Sequence, residues 1–193
     1  PRTSFLKFSL SIMNVLNSIL SIEKNHISET INELKKLRNE ISSKNLSNSN
    51  SALNLANFIS GIPLLYYPHG MQSSAIRFKS SMQENAKKHA IIEDIVEASH
   101  NGIVAWEKSS IIQPILLRGN DDYIKTKERF DIIKEFFDKN NIQFSEVKSV
   151  SGNILTKLIT LTYLLDYASI YRAILSEIDP TPVSSINFIK NRI

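Results

Sequence analysis

Cysteine is absent from this 193-residue chain. That excludes a disulfide framework and thiolate metal sites, and it suits a reducing, cytoplasmic setting. Charge of one sign is also scarce. Lys and Arg number 23 against 19 Asp and Glu, a net charge of +4. The excess is mild and scattered, so it suits an anionic ligand rather than a nucleic acid. No Lys/Arg cluster is interleaved with aromatics, and no zinc-finger signature is present. His26 and His89 have no partner at ligand spacing, so no metal is expected. Uninterrupted apolar runs are missing too. Lys7, Asn14 and Asn17 break the run near the N-terminus, and no small-residue cleavage site follows it. Lys157, Asp166 and Arg172 break the run from Ile154 to Leu175, which reads as a buried helix and not a membrane span.

What is present is enough apolar side chain for a core, 42% of residues. The spacing predicts a helix over Phe5 to Glu23, through Leu6, Leu10, Met13, Leu16 and Leu20. Ser28 predicts the cap of a second helix, "ETINELKKLRNEI", with Ile31, Leu34 and Leu37 on one face. "SSKNLSNSNSALN" reads as a polar loop with no fold signal. "IPLLYY", "HAIIEDI", "IQPILLRG" and "QFSEVKSV" read as strands. Helices are expected between them in "MQSSAIRFKSSMQENA" and "DDYIKTKERFDIIKEFFDKN", the second with Asp121 and Asp122 favoured by the dipole at its start. A long apolar helix over residues 153–178 follows, then a short terminal one with Pro182 in its first turn. Trp106, Tyr163 and Tyr167 are expected in the core.

Short strands alternating with helices predict an α/β three-layer sandwich, a mainly parallel sheet flanked by helices, with a C-terminal helical tail. Ligands of such folds collect beyond the carboxyl ends of the strands. The loops there are "YPHG", with His69, and "VEASHNG", with His100; the third carries Arg118 and Asn120.

"ENAKKHAIIEDIVEASHNGIVAWE" places a glutamate, an alanine-lysine pair, a histidine-asparagine pair and a tryptophan in one order and spacing. With "LLRGNDDYIKTKERF", "DYASIY", the ending "DPTPVSSINFIKNRI" and the opening "PRTSF", it resembles the bifunctional phosphoglucose/phosphomannose isomerases of microbes. The resemblance covers essentially the whole chain. Gln83 stands where the family often has asparagine, and Val96 to Ser99 replace its proline-glutamate. It implies that residues 1–193 are the second sugar-isomerase domain with its C-terminal helices. The first such domain, which grips the sugar phosphate, is expected to be absent from this chain, so the chain alone is expected to be inactive.

The implied reaction interconverts glucose 6-phosphate, or mannose 6-phosphate, with fructose 6-phosphate. Moving a proton between C1 and C2 through a cis-enediolate needs a carboxylate base in a water-poor pocket. The enediolate needs a fixed cation, best an arginine. Ring opening needs an acid/base such as histidine. No cofactor is required. The resemblance assigns Glu84 as base, His100 as the ring-opening group reaching across a homodimer, and Arg2 as the enediolate's cation. Lys190 is its C-terminal lysine, aiding His100. Thr181 stands where the glucose-specific enzyme has glutamine, leaving room for both C2 epimers. Asn101 is placed at the substrate site in an Asx turn that holds His100, and His69 lines the pocket or shapes a turn. Two rival readings are a noncatalytic sugar-phosphate sensor and a dimerisation module built on the long helix.

Overall fold

A computed structural model describes residues 4–193. Arg2 lies outside the described residues. The elements run α1 (Phe5–Val15), α2 (Asn17–Leu20), α3 (Lys24–Ile41), α4 (Ser51–Phe58), β1 (Ile62–Tyr67), α5 (Gln72–Asn85), β2 (Ile91–Asp94) and α6 (Ile95–Ala98). A 3-10 helix (Gly102–Glu107) leads to β3 (Ile112–Arg118), α7 (Ile124–Lys139), β4 (Ser145–Lys148), α8 (Ile154–Leu175) and α9 (Ser184–Lys190).

All four predicted strands form, in the order β2-β1-β3-β4, and every pair is parallel. Alternation along a strand sends successive side chains to opposite faces. Leu65 and Tyr67 of β1, with Ile115 and Leu117 of β3, therefore face α3, α4, α5 and α8. Leu64, Tyr66 and Leu116 face α6, the 3-10 helix and α7, where Trp106 meets Phe137 edge-on at 5.4 Å. Both faces of the sheet are covered, giving the expected three-layer α/β sandwich.

Several local expectations are corrected. The first helix breaks at Leu16, and α1 and α2 bury no residue; Val15 and Ile19 remain 78% and 76% exposed. α3 begins four residues before Ser28, whose hydroxyl donates to Lys24 O inside the helix. Its buried face is Thr30, Leu37 and Ile41, while Ile31 points outward. The Ser/Asn-rich run ends in α4. Buried Asn50 caps that helix, its Oδ1 accepting from Leu53 N at 2.9 Å and its Nδ2 donating to Asn45 O at 2.7 Å. Composition hid α4, because a polar run conceals the apolar face of Ala52, Leu55 and Ala56. Asp121 and Asp122 precede α7 and lie outside its first turn: Asp121 pairs with Lys157, and Asp122 accepts from Gly119 N. Pro182 lies before α9, outside its first turn.

By length and composition α8 could cross a membrane. Here it is the central core helix, packed against α3, α4 and α5, with eleven buried residues.

Candidate functional site

Two stripes on α5 build the site. Ala75, Phe78 and Met82 are buried toward the sheet. Beside them, Ser74, Arg77, Ser81 and Asn85 share a second face by helical spacing and meet α8 through polar contacts. Arg77 grips Asp166 with Nε to Oδ1 at 2.9 Å and Nη2 to Oδ2 at 2.9 Å. Ser81 donates to the same carboxylate, and Asn85 donates to Ser169 Oγ at 2.8 Å. Ser74 lies 3.3 Å from Thr162 Oγ1. A bidentate guanidinium–carboxylate pair fixes orientation as well as separation. Asp166, the break in an otherwise apolar helix, is thus the anchor that sets α5 on α8.

This ladder holds rigid the carboxyl end of α5, where Glu84 stands. Glu84 is half-buried and lines a cleft of about 550 Å³ with Ser80, Gln83, Lys87, Pro182 and Ile186. The C-terminal segment forms the opposite wall. Lys87 ties it down, its Nζ donating to Glu84 O at 2.6 Å and Pro182 O at 2.7 Å. Thr181 lines an adjoining cleft of about 560 Å³, with Arg77, Asp166, Tyr163 and Tyr167. Tyr163 and Tyr167 are half-buried cleft residues there rather than full core. Burial, then the Tyr167 hydroxyl, pushes the Tyr163 phenol up to about 12.

His100 stands elsewhere. It follows the carboxyl end of β2, beyond α6 on the opposite face of the sheet from α5. Glu84 precedes the amino end of the same strand. The four residues of β2 alone span about 13 Å. One chain therefore does not bring Glu84 and His100 together. His100 is exposed, and its backbone N–H donates to Glu97 O at 2.9 Å. The expected Asx turn does not form: the Asn101 side chain makes no capping bond, and the backbone turn holds the histidine instead. The segment is anchored further on. Trp106 Nε1 donates to Tyr66 Oη at 2.8 Å, and burial raises that phenol to about 12. Gly102 packs over Glu93, whose carboxylate a Cβ would meet at 2.6 Å. Burial, then Glu97, raises the Glu93 pKa.

His69 is exposed and lines a third cleft, of about 420 Å³, with Tyr67, Gln72, Ser73 and Asp94. Lys190 is exposed on α9 and does not line the Glu84 cleft. Arg118 and Asn120 serve the scaffold. Arg118 lies over Phe130 and pairs with Glu146 at 3.1 Å; Asn120 donates to Ser151. The α5–α8 ladder and the Lys87 staple escaped the sequence reading. Polar residues at positions 74, 77, 81 and 85 were the available signal.

The bacterial phospho-glucose isomerase C-terminal SIS domain family matches residues 48–193. The chain belongs to that family. The bifunctional phosphoglucose/phosphomannose isomerase of Caldicellulosiruptor bescii is 29% identical over 173 residues, 86% of this chain and 51% of the relative. That of Aquifex aeolicus is 28% identical over 197 residues, 100% of this chain and 58% of the relative. The chain thus spans little more than half the length of these curated relatives. Among solved structures, a glucose-6-phosphate isomerase like protein from Thermus thermophilus superposes with TM-score 0.67 at 18% identity, over 81% of this chain and 52% of that one. A glucosamine-6-phosphate deaminase from Thermotoga maritima gives 0.60 at 12% identity, over 92% and 53%. At such identities these two establish a shared fold.

Proposed function

We propose that this domain is the base-bearing half of an aldose–ketose isomerase. It interconverts glucose 6-phosphate and mannose 6-phosphate with fructose 6-phosphate. The observation that carries this reading is Glu84 at the rigid end of α5, in a cleft walled by the C-terminal segment, within a chain of this family. After ring opening, the Glu84 carboxylate takes the C2 proton of the aldose, leaving a cis-enediolate. The same carboxyl returns the proton to C1. A fixed arginine stabilises the enediolate oxygen, the role assigned to Arg2.

Ring opening is assigned to His100 of a second copy. Glu84 and His100 lie at opposite ends and on opposite faces of one sheet, which supports a site completed across a homodimer. Thr181, beside the Glu84 cleft, is assigned to the hexose. Its short side chain leaves room for either configuration at C2. Lys190 and His69 lie outside that cleft and are proposed only as contributions from the assembled protein. Asn101 is assigned to the loop that carries His100. The phosphate grip is assigned to a preceding half, for which the greater length of the relatives leaves room, so the 193-residue chain alone should turn over little or no substrate.

A coupled isomerase assay on the full-length protein tests the reading. Glu84→Gln should lower kcat by roughly 10²–10⁴-fold, the usual weight of a general base, while sugar-phosphate binding persists. Unchanged turnover would reject Glu84 as base. A full-length wild type that binds sugar phosphate without converting it would favour a sensor.

A further inference from the structure

Lys87 stands just past the end of α5 with its backbone in the left-handed region, φ 53°. At the end of a helix that conformation belongs to glycine or asparagine, and it strains a lysine. The side chain shows what the strained position provides. An ammonium has three N–H donors. Those of Lys87 meet three backbone carbonyls: Glu84 O at 2.6 Å, Pro182 O at 2.7 Å and Pro180 O at 3.3 Å. The first is a carbonyl in the last turn of α5, where a cation suits the dipole.

The other two flank Thr181. Proline fixes φ on either side of it, and the Thr181 N–H donates to Asp179 Oδ1 at 2.8 Å. Residues 179–182 are therefore a stiff piece, gripped at two points by one ammonium. The chain continues directly into Val183 to Ile186, the wall facing Glu84.

We propose that Lys87 is a positioning residue: by holding the carbonyls on both sides of Thr181, it sets the spacing between the C-terminal segment and the Glu84 carboxylate. The inference rests on Glu84 being the base. Lys87 touches no substrate in this role, because its donors are spent on the backbone. The spacing it sets is the width of the cleft in which the hexose must lie, so loosening it misaligns base and sugar.

Lys87→Gly separates this role from plain stability. Glycine relieves the left-handed strain and removes the grip. In the full-length protein, Tm should hold or rise. Amide exchange over residues 179–186 should quicken by roughly tenfold, the weight of one charge-assisted hydrogen bond. kcat/KM for fructose 6-phosphate should fall by roughly tenfold to a hundredfold, the effect of a misplaced reacting group. Lys87→Arg, which restores donors, should recover much of both. Exchange equal to wild type in Lys87→Gly would overturn the latch, whether or not the protein is an isomerase. Faster exchange with kcat/KM unchanged would overturn the positioning role. A wild type without isomerase activity would remove the reading of Glu84 as base and the catalytic half of the proposal with it.

Discussion

At the Glu84 end of the sheet, a ladder of charged and polar contacts from Ser74 to Asn85 ties α5 to α8, and Lys87 draws the C-terminal segment across. At the His100 end, the histidine rides exposed on a backbone turn between buried Ala98 and buried Trp106. The first region is built to hold a carboxylate in fixed surroundings. The second presents an imidazole outward from the sheet. The contrast indicates why one copy carries the two groups without forming one site.

The largest expected effect tests that division directly. Glu84→Gln and His100→Ala should each abolish most activity of the full-length protein. Co-refolded together, they should regain about a quarter of wild-type turnover, because in a twofold dimer half the molecules are hybrids with one intact site. No recovery would place both groups in one chain's site and break the comparison.

Next in size is the ladder itself. Asp166→Ala leaves Arg77 without its bidentate partner, and a drop of about 2–3 kcal/mol is expected in urea unfolding. Partial solvent access on both side chains keeps this below the cost of a fully buried pair. Trp106→Phe removes the donor to Tyr66 and should cost about 1–2 kcal/mol. Its exchange signature should be confined to residues 99–107, with the Glu84 cleft unaffected.

The smallest effect is one of pH. Burial and Glu97 raise the Glu93 pKa above its ordinary 4.5. Its carboxylate is then the disfavoured form in the folded state. The penalty is absent below pH 4.5 and enters as pH rises through the raised folded value. Glu93→Gln should therefore have a higher Tm than wild type at pH 7, with the advantage gone by about pH 4. An advantage independent of pH would mean that packing under Gly102, not charge, sets the difference.

Periodicity and apolar runs sufficed for all four strands, for α5 and α8, and for the parallel sandwich, because those patterns follow from burial on both faces of a sheet. Glu84 and His100 stood out through the resemblance of one motif to a known family, since nothing in their local spacing marks them. Illegible were α4, whose short apolar face hides in a serine- and asparagine-rich run, and the α5–α8 ladder, whose partners lie far apart in the chain. Ser28 looked like a cap because local pattern cannot see that the preceding turn is already helical.

By itself the sequence determined the layers, since alternation and helical spacing dictate which side chains must leave water. Only the tertiary structure decided that Glu84 and His100 lie at opposite ends of one sheet, and that Lys87 meets the carbonyls on both sides of Thr181. Strand direction and the meeting of distant segments settle both, and neither is written in any local stretch of residues.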